Sequence, residues 1–457
     1  MHDIGDADSH TMVTPRKIHT TEQMPQPASF AVRIDSHEQE TRPCRELDWS
    51  RCGVTSRQDH QAHYALFSAQ GEVEVEVRVP FEWQTVTVRP LRHGIVPERT
   101  ATGIRFRMAT PAKLSIEFDG DLTHALFILA NPPELKEPAP DTPGVRFFKA
   151  GAEYDTGEIR LGAGETLYLE DGAVVHGWVV MKGAHGARIA GRGILDGSHL
   201  DHNGGRRPQM IRVDQSNGVV VEGITLVNGP SWHLVPVACR NTTIRDLNII
   251  GFSGCGDGID VVSCDGTTIT NCFIRANDDC IAVKALANVG GRNVHGVRVS
   301  GGVFWNAPWG NALEIGYETC CETISDILFE DCDIIHVERE GWGSGGTFTI
   351  HNGDRALVRD VTYRNIRVED SREKLIDLKV QHSKWSTDSR RGCIEEIRFE
   401  DIAIVDGPFP VSIIQGLDSE HLVSHVSIAN LTHRGERITN ATDAKMIVEM
   451  APDVDFH

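Results

Sequence analysis

A bend repeated along the chain restricts its fold more than any other feature. Val221-Glu222-Gly223-Ile224-Thr225-Leu226 has the same pattern as Ile244-Arg245-Asp246-Leu247-Asn248-Ile249, Ile269-Thr270-Asn271-Cys272-Phe273-Ile274 and Val299-Ser300-Gly301-Gly302-Val303-Phe304. It returns in Phe329-Glu330-Asp331-Cys332-Asp333-Ile334, Tyr363-Arg364-Asn365-Ile366-Arg367-Val368, Phe399-Glu400-Asp401-Ile402-Ala403-Ile404 and Ile428-Ala429-Asn430-Leu431. An apolar residue, two polar or small residues, then apolar-x-apolar fits two short strands meeting at a corner. Units recurring at roughly 23 to 36 residues cannot close a core alone, so each must stack on its neighbours. A sandwich has no need of such a corner. The pattern predicts a parallel β-helix over residues 145–457, with corner residues Asn271, Asn365 and Asn430 stacking as an internal ladder.

The region before it has a different rhythm. Val73, Val75, Val77 and Val79 alternate with charged residues, and Val86-Thr87-Val88, Ile104-Arg105-Phe106 and Leu114-Ser115-Ile116-Glu117-Phe118 continue the period of two. This predicts a small antiparallel β-sandwich over 31–131. Pro132, Pro133, Pro138, Pro140 and Pro143 stiffen a linker over 132–144, and residues 1–30 form a polar arm without periodicity. The fold class expected is therefore all-β, an N-terminal β-sandwich followed by a parallel β-helix.

Net charge of -20 excludes the clustered basic surface that nucleic acid requires. No apolar run can span a bilayer, and the first residues contain no apolar secretion core, so a cytoplasmic, membrane-free protein is expected. Eleven cysteines without a CxxC pair point to thiols buried inside coils and not to a disulfide framework or a zinc cage. Cys320-Cys321 is the exception to watch. No cofactor and no metal are called for, and self-association stays open.

On either side of the corner at 269–274 lie Gly256-Asp257-Gly258-Ile259-Asp260 and Ala276-Asn277-Asp278-Asp279-Cys280-Ile281-Ala282-Val283-Lys284. If one circuit separates them, Asp257, Asp278 and Asp279 converge on one face. Convergent carboxylates suit glycosidic hydrolysis, which needs one protonated acid and an ionised partner. Turn capping or a calcium site is the competing reading. Strand alternation places Asp260 on the opposite side from Asp257.

The paired motif resembles the polygalacturonases, glycoside hydrolase family 28, and the resemblance extends from about Leu167 to Leu431. It implies a right-handed parallel β-helix, Asp278 as general acid, and Asp257 and Asp279 holding and deprotonating the attacking water. The sandwich-plus-helix order is also similar, more weakly, to the dextranase and isopullulanase family, glycoside hydrolase family 49. Two departures stand out. Asn311 in Gly310-Asn311-Ala312 replaces the family histidine, and Thr349-Ile350-His351 replaces an Arg-Ile-Lys motif. Loss of that basic pair removes a clamp for a uronate carboxylate. Glu314 adds negative charge nearby.

The resulting expectation is an inverting, exo-acting hydrolase of a neutral oligosaccharide, with about 6.5–9.5 Å between acid and base. Candidate substrate-binding residues are Trp232, His233, Lys284, Trp309, Asn311, Glu314, Trp342, His351 and Lys379, with Tyr317 and Trp385 in neighbouring loops. Lys284 can either bind sugar or neutralise the carboxylates. Glycines in 340–346 suit a mobile wall, and the 288–291 loop can close one end of the groove. Other readings stay open: a pectin-directed polygalacturonase or rhamnogalacturonase type, a β-helix lyase, epimerase or cyclising transferase, and an inactive carbohydrate-binding scaffold.

Overall fold

The structure is a computed structural model, and it describes residues 29–44, 61–200, 207–338 and 345–457. The polar arm lies almost entirely outside them, as do Trp342 and most of the glycine-rich loop around it.

Every repeated corner adopts the same backbone conformation. Gly223, Asp246, Asn271, Gly301, Asp331, Asn365, Asp401 and Asn430 all have φ between 49° and 77°. This left-handed region is one that Gly, Asn and Asp enter most readily. The apolar residues on either side, such as Ile269, Cys272 and Ile274, point into one continuous core. The corner ladder runs along the outside of the coil, contrary to the internal stacking expected: Asn365 donates to Asp331 Oδ1 at 3.3 Å and Asn430 to Asp401 Oδ1 at 2.7 Å, with both asparagines exposed. A left-handed residue turns its side chain away from the core. Inside the coil, Phe329, Tyr363 and Phe399 stack nearly parallel, with centroids 5.1 and 4.9 Å apart.

From Val145 to Phe456 the strands form a 30-stranded sheet, parallel except where Glu436–Ile438 turns back on Val423–His433. It winds as a right-handed parallel β-helix, the hand parallel crossovers favour. Ten cysteines, all free, lie among the described residues. Cys239 and Cys264 sit on successive rungs, the backbone N–H of one facing the sulfur of the other at 3.4 Å. Among the described residues no helix is long and apolar enough to cross a membrane.

The described residues of 31–131 form two five-stranded sheets. Val75, Val77, Phe106, Leu114, Ile116 and Ile128 fill the space between them. One pairing departs from the antiparallel expectation: Leu126–Asn131 runs parallel to His63–Ser68, two strands far apart in sequence that no hairpin joins. The sheet carrying Leu126–Asn131 packs onto one flank of the β-helix. Phe127 meets Phe273 at 5.2 Å and Trp305 at 5.7 Å. At the same interface Arg89 bridges Glu117, Glu369 and Asp406 at 3.2, 2.7 and 3.3 Å. His336 pairs with Glu117 at 2.9 Å and Asp370 at 3.3 Å.

One face of the β-helix supports the candidate site. Its rungs include Ile259–Val262, Ile281–Ala285, Asn311–Thr319, Gly346–Asn352 and Lys374–Val380. Ile259, Val261, Ile281, Val283, Leu313 and Ile315 point inward. Alternation therefore turns Asp260, Lys284, Glu314, His351, Asp377 and Lys379 outward.

Candidate active site

Asp257 precedes one floor strand, and Asp278 and Asp279 precede the next. The stacking of these two turns is direct, since Gly258 N–H donates to the Asp279 carbonyl at 2.8 Å. One oxygen from each of Asp257, Asp278 and Asp279 lies within 4.8 Å of the others. Asp278 is half-buried, whereas Asp257 and Asp279 are buried beneath it. The following coil supports this turn: Asn306 Nδ2 donates to the Asp278 carbonyl at 2.8 Å. Gly310, at φ +71°, passes so close that a β-carbon there would stand 2.5 Å from Asp278 Oδ1 and the Asp279 nitrogen.

Lys284 is the centre of the cluster. Its ammonium donates to Asp257 Oδ2 at 2.9 Å and lies 2.8 Å from Asp260 Oδ1 and 3.6 Å from Asp279 Oδ2. The Trp232 ring covers it at 4.3 Å. This corrects the placement of Asp260, which converges on the same ammonium as Asp257; Asp257 lies outside the strand, so alternation does not govern it. Burial pulls the Lys284 pKa down, but Asp257, Asp260 and Asp279 outweigh it and hold the group well above its ordinary value. Burial, reinforced by Asp257, raises Asp260 well above the carboxyl range. Burial does the same for Asp278, with Asp257 and Asp279 adding to it. Asp279 is pushed up to about 8 by burial, against the pull of Lys284, with Asp257 and Glu314 contributing. Crowded, enclosed carboxyls of this kind keep protons at neutral pH.

Several residues expected to touch sugar lie beneath the surface and hold the site together. Asn311 donates to Asp279 Oδ1 from both its backbone nitrogen and Nδ2, each at 2.9 Å, so the residue replacing the family histidine fixes a carboxylate. His233 is fully buried, with its Nδ1 and backbone N–H on the Asp257 carbonyl. Glu314 is fully buried and accepts from Thr349 Oγ1. His351 lies between Glu314, at 3.0 Å, and Asp377, at 3.2 Å, and Tyr317 stacks on its ring at 4.4 Å. Lys379 is half-buried and pairs with Asp377 at 2.9 Å. Trp309 is half-buried, its backbone N–H donating to the Asn277 carbonyl at 3.2 Å. Burial of His233, Lys284, Glu314 and His351 with protein partners replaces the direct sugar contact expected of them by a supporting role. Asp377 and Asn306 were not singled out from the sequence; the lone signal for Asp377 was its rung alignment with Glu314 through Thr349.

Burial lowers the His351 pKa, but the Glu314 charge and hydrogen bonds to Asp377 and Glu314 raise it further, to about 9. The folded value exceeds the unfolded one of about 6.5, so the stabilisation is complete below pH 6.5 and is lost as pH rises through 9. Thermal unfolding is expected to move to lower temperature across that interval, and His351→Gln to flatten the fall. An equal slope in the variant would remove His351 as its source.

The acid-to-water-base spacing of about 6.5–9.5 Å is not met by the nearest oxygens, which fall within 4.8 Å. Lys284 already supplies a positive charge amid the oxygens that could otherwise ligate a divalent cation.

The fold is thus a parallel β-helix that carries one half-buried aspartate beside two buried ones. The profile of the glycosyl hydrolases family 28 matches residues 157–406, over half of the chain, and the chain belongs to that family. It is 28% identical over 182 residues to a probable polygalacturonase of Vitis vinifera, covering 31% of this chain and 37% of that protein. An exopolygalacturonase of Zea mays is 25% identical over 208 residues, with 43% and 46% covered. The chain spans less than half the length of the curated relatives it matches. In fold it is similar to the Yersinia enterocolitica family 28 exopolygalacturonase, with TM-score 0.53, 13% identity and coverage of 84% of this chain and 96% of that one. It is also similar to Dex49A from Penicillium minioluteum, with TM-score 0.51, 13% identity and coverage of 96% and 93%.

Proposed function

We propose that the protein is an exo-acting hydrolase of pectic, galacturonate-containing glycans. The arrangement of Asp278 above Asp257 and Asp279, bound together by Lys284, carries the hydrolytic reading. Asp278 protonates the leaving oxygen. Asp279 has Oδ1 bonded to Asn311 and a pKa near 8, which suits it to holding water. Asp257 Oδ1 has no hydrogen-bond partner among the described residues, and it is the oxygen left to take the proton from water. Water attacking opposite the departing sugar inverts the anomeric carbon.

Exo action is supported by the floor on one side of the aspartates. There Val235, Val237 and Val262 turn outward and are covered by Trp232, Leu286 and Val289. This apolar seal offers no hydrogen bonds to sugar hydroxyls, which supports a groove that ends there.

The pectic reading, an alternative at the level of sequence, is supported over the neutral one by the names of the relatives and by charge. The buried His351 at the position of the family lysine is taken up by Glu314 and Asp377, but Lys379, half-buried, follows on the next rung. The cation is thus moved more than removed. The neutral reading retains one observation, Thr349, fully buried where the family has arginine.

The test is product analysis on galacturono-, malto- and isomalto-oligosaccharides, with proton NMR of the first-formed anomer. Release of terminal galacturonate with gain of water and inverted configuration is expected. Cleavage of neutral substrates alone would overturn the pectic reading; products lacking water would overturn hydrolysis.

A further inference from the structure

On the side of the aspartates away from the apolar seal, the floor runs on through the strand Lys374–Val380, three rungs beyond Ile281–Ala285. At about 4.8 Å per rung this places Lys379 some 14 Å from Lys284. The loop 381–391 follows directly and folds back across the turns of the two preceding coils. Asp354 Oδ1 accepts the backbone N–H groups of Thr387 and Asp388 at 2.6 and 2.7 Å, and Asp354 is fully buried. Ser386 Oγ donates to the Gly353 carbonyl and Arg355 bridges to Asp388.

This anchored loop presents Trp385 with 52% of its surface exposed. Lys384 lies over the indole, its Nζ 4.9 Å from the ring centroid, and forms no ion pair among the described residues. From Lys379 to Arg391 the sequence has four Lys or Arg residues against a single carboxylate, Asp388, within a chain of net charge -20. Exposing a tryptophan beside an unpaired ammonium on a pinned loop costs solvation without improving the core. The same pair suits a sugar ring carrying a carboxylate: the indole face takes the C–H face, and the ammonium takes the charge.

We propose that Trp385 and Lys384 form a distal subsite for a uronate residue of the substrate, several rings from the scissile bond, on the open side of the groove. The proposal rests on the pectic reading above and adds the residues that measure chain length. It makes the enzyme prefer acidic chains long enough to reach the loop.

The experiment is calorimetric titration of the Asp278→Asn protein, and of that protein also carrying Trp385→Ala or Lys384→Ala, with di- and tetragalacturonate and with maltotetraose. Either loop substitution is expected to weaken tetragalacturonate about tenfold and so collapse the tetramer-to-dimer affinity ratio. Maltotetraose is expected to bind weakly and to ignore Lys384→Ala. An unchanged ratio in both loop variants would overturn the subsite, whether or not the wild-type enzyme cleaves digalacturonate. Cleavage of digalacturonate by wild type is read separately and decides the pectic reading; if galacturonides neither bind nor react, both fall together.

Discussion

Replacing Asp278 with Asn is expected to lower kcat by roughly 10²- to 10⁴-fold while leaving the unfolding temperature nearly unchanged. Asp278 is the member of the trio that reaches the groove, and burial with Asp257 and Asp279 keeps its proton in place near neutrality. Asparagine keeps the shape and the Oδ1 that accepts the Asp279 N–H at 3.1 Å, but it has no proton to give. The deficit should depend on the leaving group. An aryl glycoside that departs as a stable phenolate needs no acid, so the variant should recover most of its rate there. Equal loss on aryl and sugar leaving groups would show that Asp278 does not protonate the glycosidic oxygen. Because the acid must be protonated, wild-type activity should decline as pH rises through its raised pKa.

The second large effect is on stability. Lys284→Met is expected to cost about 3–5 kcal/mol, the scale of removing one partner from a buried ion pair, and to abolish turnover. The ammonium is almost wholly buried, and Asp257 and Asp260 would remain enclosed without their counter-charge. Losing it pushes the Asp260 carboxyl still further up. The folded state then binds more protons than the unfolded one over a wider range, so the variant's deficit should grow with rising pH and shrink in acid. Adding Asp260→Asn to Lys284→Met removes one buried carboxyl that must otherwise stay protonated, and should restore part of the stability toward high pH. Chemical denaturation of the single and double variants measures this. No recovery in the double variant would mean that Lys284 acts through packing under Trp232 and not through charge.

The two effects separate the machinery into layers. Asp278 is the half-buried member of the trio, while Lys284 and Asn311 hold the carboxylates of Asp257 and Asp279 and His233 holds the Asp257 backbone. The sandwich packs on another flank of the β-helix, through Phe127 against Phe273 and Trp305, on the side from which the loop bearing Asp278 leaves its strand.

The β-helix was legible because its corners are local. A left-handed residue between two strands restricts the amino acid whatever surrounds it, and Gly, Asn or Asp stands at all eight repeats. The aspartate trio was legible for a similar reason: Asp257 and the Asp278-Asp279 pair occupy equivalent turns one coil apart, and coil stacking makes them neighbours. The proposal of hydrolysis starts from that.

What the sequence could not decide were relationships across rungs and the depth of each side chain. Asp260 and Asp257 share one ammonium only because a turn residue escapes strand alternation. Asn311 could be seen to replace a histidine, but not that it fixes Asp279 with two hydrogen bonds. Glu314, His351 and Asp377 read as isolated polar residues along the chain; coil stacking joins them into a buried ion network. Local conformational preference is written residue by residue, whereas burial and charge balance depend on which distant segments pack above a group. The corner and the aspartates were therefore fixed by sequence alone, and the protonation, support and accessibility of the site by the tertiary structure.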